Sequence, residues 1–75
     1  MTMILKMVEV YKTNVRHKRQ AKRLLGVLSR QFPMFSINFD LEDCDKILRV
    51  EGEGISHEKI TTLVTGSGYQ CEILQ

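Results

Sequence analysis

The residues best suited to chemistry lie in one short run, where an apolar strand pattern gives way to a helical pattern. This run, from Lys12 to Gln20, concentrates cationic side chains. The first turn of a helix presents unpaired N–H groups, so basic residues there suit a phosphate, a carboxylate or an acidic protein. We call its candidate interaction residues the basic loop surface: Lys12, Asn14, Arg16, His17, Lys18, Arg19 and Gln20.

His17 is the residue of this run that could bind a transition metal, through an imidazole nitrogen. The neighbouring cations would repel a metal ion, and the alternative interpretation is an exposed residue at the start of a helix. We therefore predict neither a metal site nor a cofactor, with His17 as the candidate ligand if copper or zinc does bind. His57 falls in the first turn of a second predicted helix and is expected to be solvated.

Three other kinds of site find little support. No Ser/His/Asp or Cys/His set and no glycine-rich phosphate loop is recognisable, so we expect a non-catalytic chain. The acidic stretch from Asp40 to Asp45 lacks the spacing and glycine of a calcium loop, which favours a hairpin turn. Nucleic-acid binding is not favoured, because the strands carry no paired aromatic residues and the chain has no Trp.

Composition indicates one small domain over residues 1–75, with an ordered part from about 4 to 74. Apolar residues make up 43% and charged residues 27%, values typical of a globular chain without a membrane span. Neither cysteine, Cys44 or Cys71, has a second one at metal-ligand spacing, so both are expected to be structural. No signal peptide is recognisable, which favours the cytoplasm. The chain could begin at Met1, Met3 or Met7.

Charge is distributed unevenly along the chain. Eight of the 11 Lys and Arg residues lie in residues 1–39, and eight of the nine acids lie in residues 40–75. Two oppositely charged surfaces suit either an acidic partner or weak self-association.

Hydrophobic periodicity predicts the order β-α-β-β-α-β. The elements are a strand over 4–11, a helix over 17–31, a hairpin over 35–51, a helix that begins after Ser56, and a strand over 69–74. Charged Glu9 suggests that Val8 and Val10 point inward in the first strand, although Leu5, Met7 and Tyr11 form a competing row. Thr13 or Asn14 is expected to help cap the first helix.

This order is typical of a ferredoxin-like α+β sandwich, in which a four-stranded antiparallel sheet carries two helices on one face. Alternation within the strands and the apolar helix stripes identify the expected core. Its members are Val8, Val10, Leu24, Leu28, Ile37, Phe39, Leu48, Val50, Ile60, Val64, Tyr69 and Cys71.

From about Val8 to Leu74 the chain resembles the heavy-metal-associated domain found in copper chaperones and in metal-transporting ATPases. The resemblance rests on the element order, on the run Tyr11-Lys12-Thr13-Asn14-Val15, on the hairpin from Asp40 to Gly52, and on the ending Gly68-Tyr69-Gln70-Cys71-Glu72. It implies that Val15 is the apolar residue before the metal loop and that Tyr69 is the aromatic residue that shields it.

In that family two loop cysteines, separated by two residues, bind a soft metal ion. The matching positions here are His17 and Gln20, so the two-cysteine motif is missing. The resemblance therefore implies a copper-chaperone-like domain with a degenerate metal loop, which works as a protein-interaction or regulatory module. Two alternatives stay open: a heavy-metal carrier that combines His17 with a ligand from a partner, and an anion or nucleic-acid binder that uses the basic first helix.

Overall fold

The computed structural model describes residues 7–74. Its elements are β1 (Met7–Thr13), α1 (Lys18–Gln31), β2 (Ser36–Asp40), β3 (Ile47–Gly52), α2 (His57–Gly66) and β4 (Cys71–Ile73). The strands form one antiparallel sheet in the order β2-β3-β1-β4, which confirms the predicted ferredoxin-like arrangement. Positions 4–6 of the predicted first strand and the possible starts Met1 and Met3 lie outside the described residues.

The core lies between the helices and one face of the sheet. Seven of the expected residues are buried: Leu24, Leu28, Ile37, Leu48, Val50, Ile60 and Val64. Phe39, Tyr69 and Cys71 are half-buried at its margin rather than inside it. Tyr11, Val15 and Ala21 complete the buried set. Within residues 7–74, neither helix is long and apolar enough to cross a membrane.

The inward face of β1 differs from the prediction. Tyr11 is fully buried and pairs with Leu48 of β3, whereas Val8 is 43% exposed and Val10 is half-buried on the open face of the sheet. The prediction failed because it treated Glu9 as an outward residue. The Glu9 side chain is only 18% exposed, and its Oε2 lies 3.9 Å from Nε2 of His57. Of the competing row, Tyr11 is therefore the inward residue, Met7 is 51% exposed, and Leu5 lies outside the described residues.

The hairpin between β2 and β3 closes through a tight polar turn. Asp43 Oδ1 accepts a hydrogen bond from the Asp45 N–H at 2.9 Å, and Lys46 Nζ donates one to the Leu41 carbonyl at 2.9 Å. Lys46 adopts a positive φ of 49°, a conformation that these contacts stabilise. We call Asp40, Leu41, Glu42, Asp43, Cys44 and Asp45 the acidic turn.

The first helix ends as predicted before Pro33, and the second begins after Ser56. The Phe32 N–H donates to the Leu28 carbonyl at 2.8 Å, which closes the last turn of α1. Ser56 Oγ accepts from the Lys59 N–H at 3.3 Å, so Ser56 is the N-cap that the sequence predicts.

Candidate functional site

The basic loop surface lies where β1 passes into α1. The helix begins at Lys18, and its N-cap is His17, not Thr13 or Asn14 as predicted. Gln20 Oε1 accepts hydrogen bonds from the N–H groups of Arg16 and His17, both at 3.3 Å. Gln20 is the third residue of α1, and its side chain therefore folds back over the residues before the helix, as in a capping box.

Thr13 anchors the base of this loop although it does not cap the helix. Its buried hydroxyl donates to the Lys46 carbonyl at 2.6 Å and accepts from the Val15 N–H at 3.2 Å. The Thr13 N–H donates to the Asp45 carbonyl at 3.1 Å. Val15 is fully buried beyond it. The loop therefore rests on a fixed base, so the exposed side chains that follow are held in position.

Two predicted surface residues have structural partners. Asn14 Oδ1 accepts from the Gln70 N–H at 2.8 Å, which ties the loop to the segment before β4. Lys12 Nζ lies 3.8 Å from Asp45 Oδ1, with both side chains substantially exposed. An exposed pair of this kind contributes at most about 1 kcal/mol, so Lys12 is still able to meet another anion.

The remaining cations of this region form no ion pair with the described acids. Arg16, Lys18 and Arg19 are exposed, and the first turn of α1 contains no acid. In residues 7–74 the ion pairs are Lys12–Asp45 and His57–Glu9, and neither involves α1. These cations also stand at the positive end of the helix dipole. The helix start is therefore a positively charged surface whose charge nearby acids do not neutralise.

This loop does not bring together a ligand set for a soft metal. His17 is exposed, and the carboxamide oxygen of Gln20 already accepts two backbone hydrogen bonds. Cys71 pairs with Thr13 across β1 and β4, but burial raises the pKa of its thiol to about 11, which disfavours the thiolate that binds metal.

Elsewhere in residues 7–74, the group of three that could hold a metal ion is Asp43, Cys44 and Asp45 in the acidic turn. The Cys44 side chain is exposed, which contradicts the prediction that this residue is structural. Such a group of exposed side chains is what a polar hairpin turn presents to solvent, and it does not by itself constitute a metal site.

The structure places the acidic turn beside the basic loop surface, which sequence reasoning missed. β1 and β3 are antiparallel, with Lys12 opposite Ile47, so the end of β1 meets the start of β3. A groove of about 300 Å³ separates the two surfaces. It is lined by Lys18 and Ala21 of α1 and by Phe39, Asp40, Leu41 and Glu42. The predicted ferredoxin-like fold is compatible with this proximity. Along the chain, however, the basic and acidic segments are far apart, so the sequence pattern alone did not reveal it.

A second contact missed from the sequence joins β1 to α2. The buried hydroxyl of Tyr11 lies 2.8 Å from Nδ1 of His57, and the two rings meet edge to face at 5.9 Å. His57 is exposed as predicted, but it also satisfies this hydroxyl. Burial, with a smaller contribution from Cys71 and then Glu9, raises the pKa of Tyr11 to about 12.

Another groove, of about 800 Å³, runs between the end of α1 and α2. Phe32 and Leu63 supply its apolar surface, and Ser56, Glu58 and Lys59 are among its polar residues. Its charged side chains are one acid and one base, so this groove shows no preference for an anion.

The predicted fold is observed; Val15 is buried and Tyr69 is half-buried. Membership of the heavy-metal-associated family stays a prediction. No protein-family model, curated protein or solved structure matches the chain.

Proposed function

We propose that this chain is a non-catalytic, cytoplasmic interaction module of the heavy-metal-associated type, with a degenerate metal loop that binds an acidic protein segment. The observation that carries the proposal is the unpaired charge at the start of α1, where Arg16, Lys18 and Arg19 are exposed and form no ion pair with the acids of residues 7–74. Placing like charges at the positive end of a helix dipole costs stability, typically about 0.3–1 kcal/mol per charge. A role in binding explains why cations occupy these positions although they lower the stability of the helix.

The chemistry of the partner follows from the donors that the surface offers. Guanidinium groups bind carboxylates through paired N–H donors, and ammonium groups add point charges. Gln20 already covers the amides of Arg16 and His17, so the side chains rather than the loop backbone would contact the partner. A run of Asp and Glu side chains fits such a surface better than one compact anion held by backbone amides.

Nucleic acid is a poorer fit to the same surface. Single-stranded RNA or DNA is usually held by aromatic side chains on which bases stack. Tyr11 is buried here, and the stacked pair Phe32 and Phe35 follows the end of α1, away from its basic start. The charges alone would supply only salt-dependent, sequence-independent binding.

A titration with poly-glutamate, followed by amide NMR shifts, tests the proposal. We expect saturable shifts centred on Arg16 to Arg23, which weaken as salt shortens the electrostatic range. Poly-lysine of the same length is the control and should leave these amides unmoved. Shifts spread evenly over the surface, or an absence of shifts at low salt, would contradict the proposal.

Metal titration tests the degenerate loop separately. We expect neither Cu(I) nor Zn(II) to give stoichiometric shifts at Val15 to Ala21, because His17 has no partner ligand in the loop. Saturable shifts that His17→Ala abolishes would instead establish a metal carrier. The double variant His17→Cys/Gln20→Cys should acquire one Cu(I) site if the loop aligns with the heavy-metal-associated family. A folded double variant that binds no Cu(I) would refute that alignment.

A further inference from the structure

The groove beside α1 has walls of opposite charge. Lys18 and the small Ala21 lie on the helix side, and Asp40 and Glu42 lie on the side of the acidic turn. Phe39 and Leu41, both half-buried, contribute apolar surface between them. A positive wall and a negative wall on either side of an apolar strip form a self-complementary surface.

The two walls do not neutralise each other within one chain. In the described part of the chain, the ion pair that joins the loop to the turn is Lys12–Asp45, at 3.8 Å. Asp40 Oδ1 accepts from the Glu42 N–H at 3.2 Å, a bond that shapes the turn but brings no cation to the carboxylate. Lys18 and Glu42 are thus exposed on opposite walls, and both are available to another molecule.

We propose that a second copy of this chain binds in this groove, so that the acidic turn of each copy meets the start of α1 in the other. The inference rests on the proposed function, since the acidic turn is the acidic segment that the basic loop surface binds. A two-fold axis through the groove would bring Lys18 of one copy onto Asp40 and Glu42 of its partner. The same operation would bring the apolar strips around Leu41 together.

The expected dimer is weak and sensitive to salt. Exposed ion pairs contribute little to affinity, and the apolar strip is short, so the interface belongs among small, transient ones. The dimer should form at high protein concentration in about 20 mM salt and dissociate in about 0.5 M salt, where screening reaches only a few ångströms.

Charge-swapped variants test the pairing by sedimentation equilibrium. Asp40→Lys/Glu42→Lys reverses the acidic wall, and Lys18→Glu/Arg19→Glu reverses the basic wall. Each variant alone should stay monomeric at concentrations where the wild type associates, and an equimolar mixture should recover the association. Glu51→Lys/Glu53→Lys is the matched control with the same net charge as the first variant, and it should associate like the wild type. A wild type that is monomeric throughout, or a mixture that does not associate, would overturn the inference.

A second measurement needs no change to either wall. A spin label on the exposed Cys44 thiol of one copy should broaden the amides of Arg16 to Lys22 in a nitrogen-15-labelled copy that carries Cys44→Ser. This broadening should vanish in high salt. Its absence at low salt would also overturn the inference.

Binding of an acidic segment and formation of the dimer can be tested separately. Wild-type protein that binds poly-glutamate but stays monomeric would retain the function and refute self-association. The Asp40→Lys/Glu42→Lys variant supplies the reverse test, since it should bind poly-glutamate at least as tightly as the wild type while failing to dimerise. Equal loss of both activities in that variant would show that the basic loop surface does not bind acids by itself.

Discussion

The two helices of this domain begin in opposite ways. The start of α2 is electrostatically favourable, because Ser56 caps it, Glu58 stands in its first turn, and His57 contacts the buried hydroxyl of Tyr11. The start of α1 is held by the Gln20 side chain, and it carries cations where the helix dipole favours acids. Both helices use their ends to complete the fold, but only the start of α1 combines that role with a local electrostatic cost.

This difference separates residues that stabilise the domain from residues that are available for binding. Removal of the Ser56 cap at the start of α2 should lower the free energy of unfolding and leave acid binding unchanged. Replacing cations with acids at the start of α1 should weaken acid binding and should not lower the free energy of unfolding. Four predictions test this separation, in order of decreasing expected effect.

The largest effect should come from Tyr11 at alkaline pH. Its pKa is about 12 in the folded state and 10 in the unfolded chain, so its contribution to stability is complete below pH 10 and is lost as pH rises to about 12. The expected loss is on the order of 2–3 kcal/mol, at about 1.4 kcal/mol per pKa unit. Urea unfolding between pH 8 and pH 12 measures it, to the extent that the chain remains folded.

Tyr11→Phe should remove this part of the stability loss at alkaline pH, because the substitution keeps the aromatic ring and removes the ionisable hydroxyl. Cys71 contributes a separate decline between about pH 9 and 11, since its folded pKa is also raised. An unchanged alkaline profile in Tyr11→Phe would show that burial of the Tyr11 hydroxyl does not raise its pKa in the folded chain.

Ser56→Ala should lower the free energy of unfolding by about 0.5–2 kcal/mol, because the Lys59 N–H loses its side-chain acceptor. Urea denaturation measures the change. Ser29→Ala, at an exposed position in the last turn of α1, is the matched control and should not destabilise the chain. Affinity for poly-glutamate should be unchanged in both variants, and a weakened affinity in Ser56→Ala would undermine the separation of the two helix starts.

Gln20→Ala should lower the free energy of unfolding by about 0.5–1.5 kcal/mol, because the Arg16 and His17 amides lose their acceptor. The loss should fall toward the lower end of this range, since these hydrogen bonds are exposed and Ala favours the helix. Hydrogen exchange should accelerate at the amides of Arg16 and His17. Gln20→Glu keeps an acceptor and adds an acid where the dipole favours it, so it should restore slow exchange. Exchange rates that do not change in Gln20→Ala would mean that the carboxamide does not protect these amides in solution.

The smallest effect is an increase in stability. Arg19→Glu should raise the free energy of unfolding by about 0.3–1 kcal/mol, because it replaces a cation with an acid in the first turn of α1, away from the groove that Asp40 and Glu42 line. Lys59→Glu makes the same charge change in α2, whose first turn already contains Glu58, and should gain less. A loss of stability in Arg19→Glu would show that the positive charge has a structural partner.

The sequence predicted the element order and most of the core, because apolar residues recur with clear periods in α1 and in the hairpin. It failed in β1, where two alternating rows compete and local charge decided for the wrong one. Whether Glu9 is tolerated near the helix layer depends on His57, which lies 48 positions along the chain at α2. Periodicity within one strand carries no information about such a neighbour.

The candidate site was predictable in composition but not in contacts. Charge density identified the start of α1, yet the reach of Gln20 over the loop amides depends on side-chain geometry. The nearness of the acidic turn follows from strand pairing, which the predicted topology allowed but local pattern did not reveal. The family resemblance predicts a metal loop at this position, whereas the structure shows that the Gln20 carboxamide holds the amides of Arg16 and His17.

The central claim is that cations at the start of α1 bind an acidic segment. Its most direct test is the affinity for poly-glutamate, measured by calorimetry at low salt, of Lys18→Glu/Arg19→Glu against Arg49→Glu/Lys59→Glu, which has the same net charge. We predict that the first variant loses at least about tenfold in affinity, equivalent to about 1.4 kcal/mol, while the second stays near the wild type. Equal losses in the two variants would contradict the account, since binding would then follow net charge and not this surface.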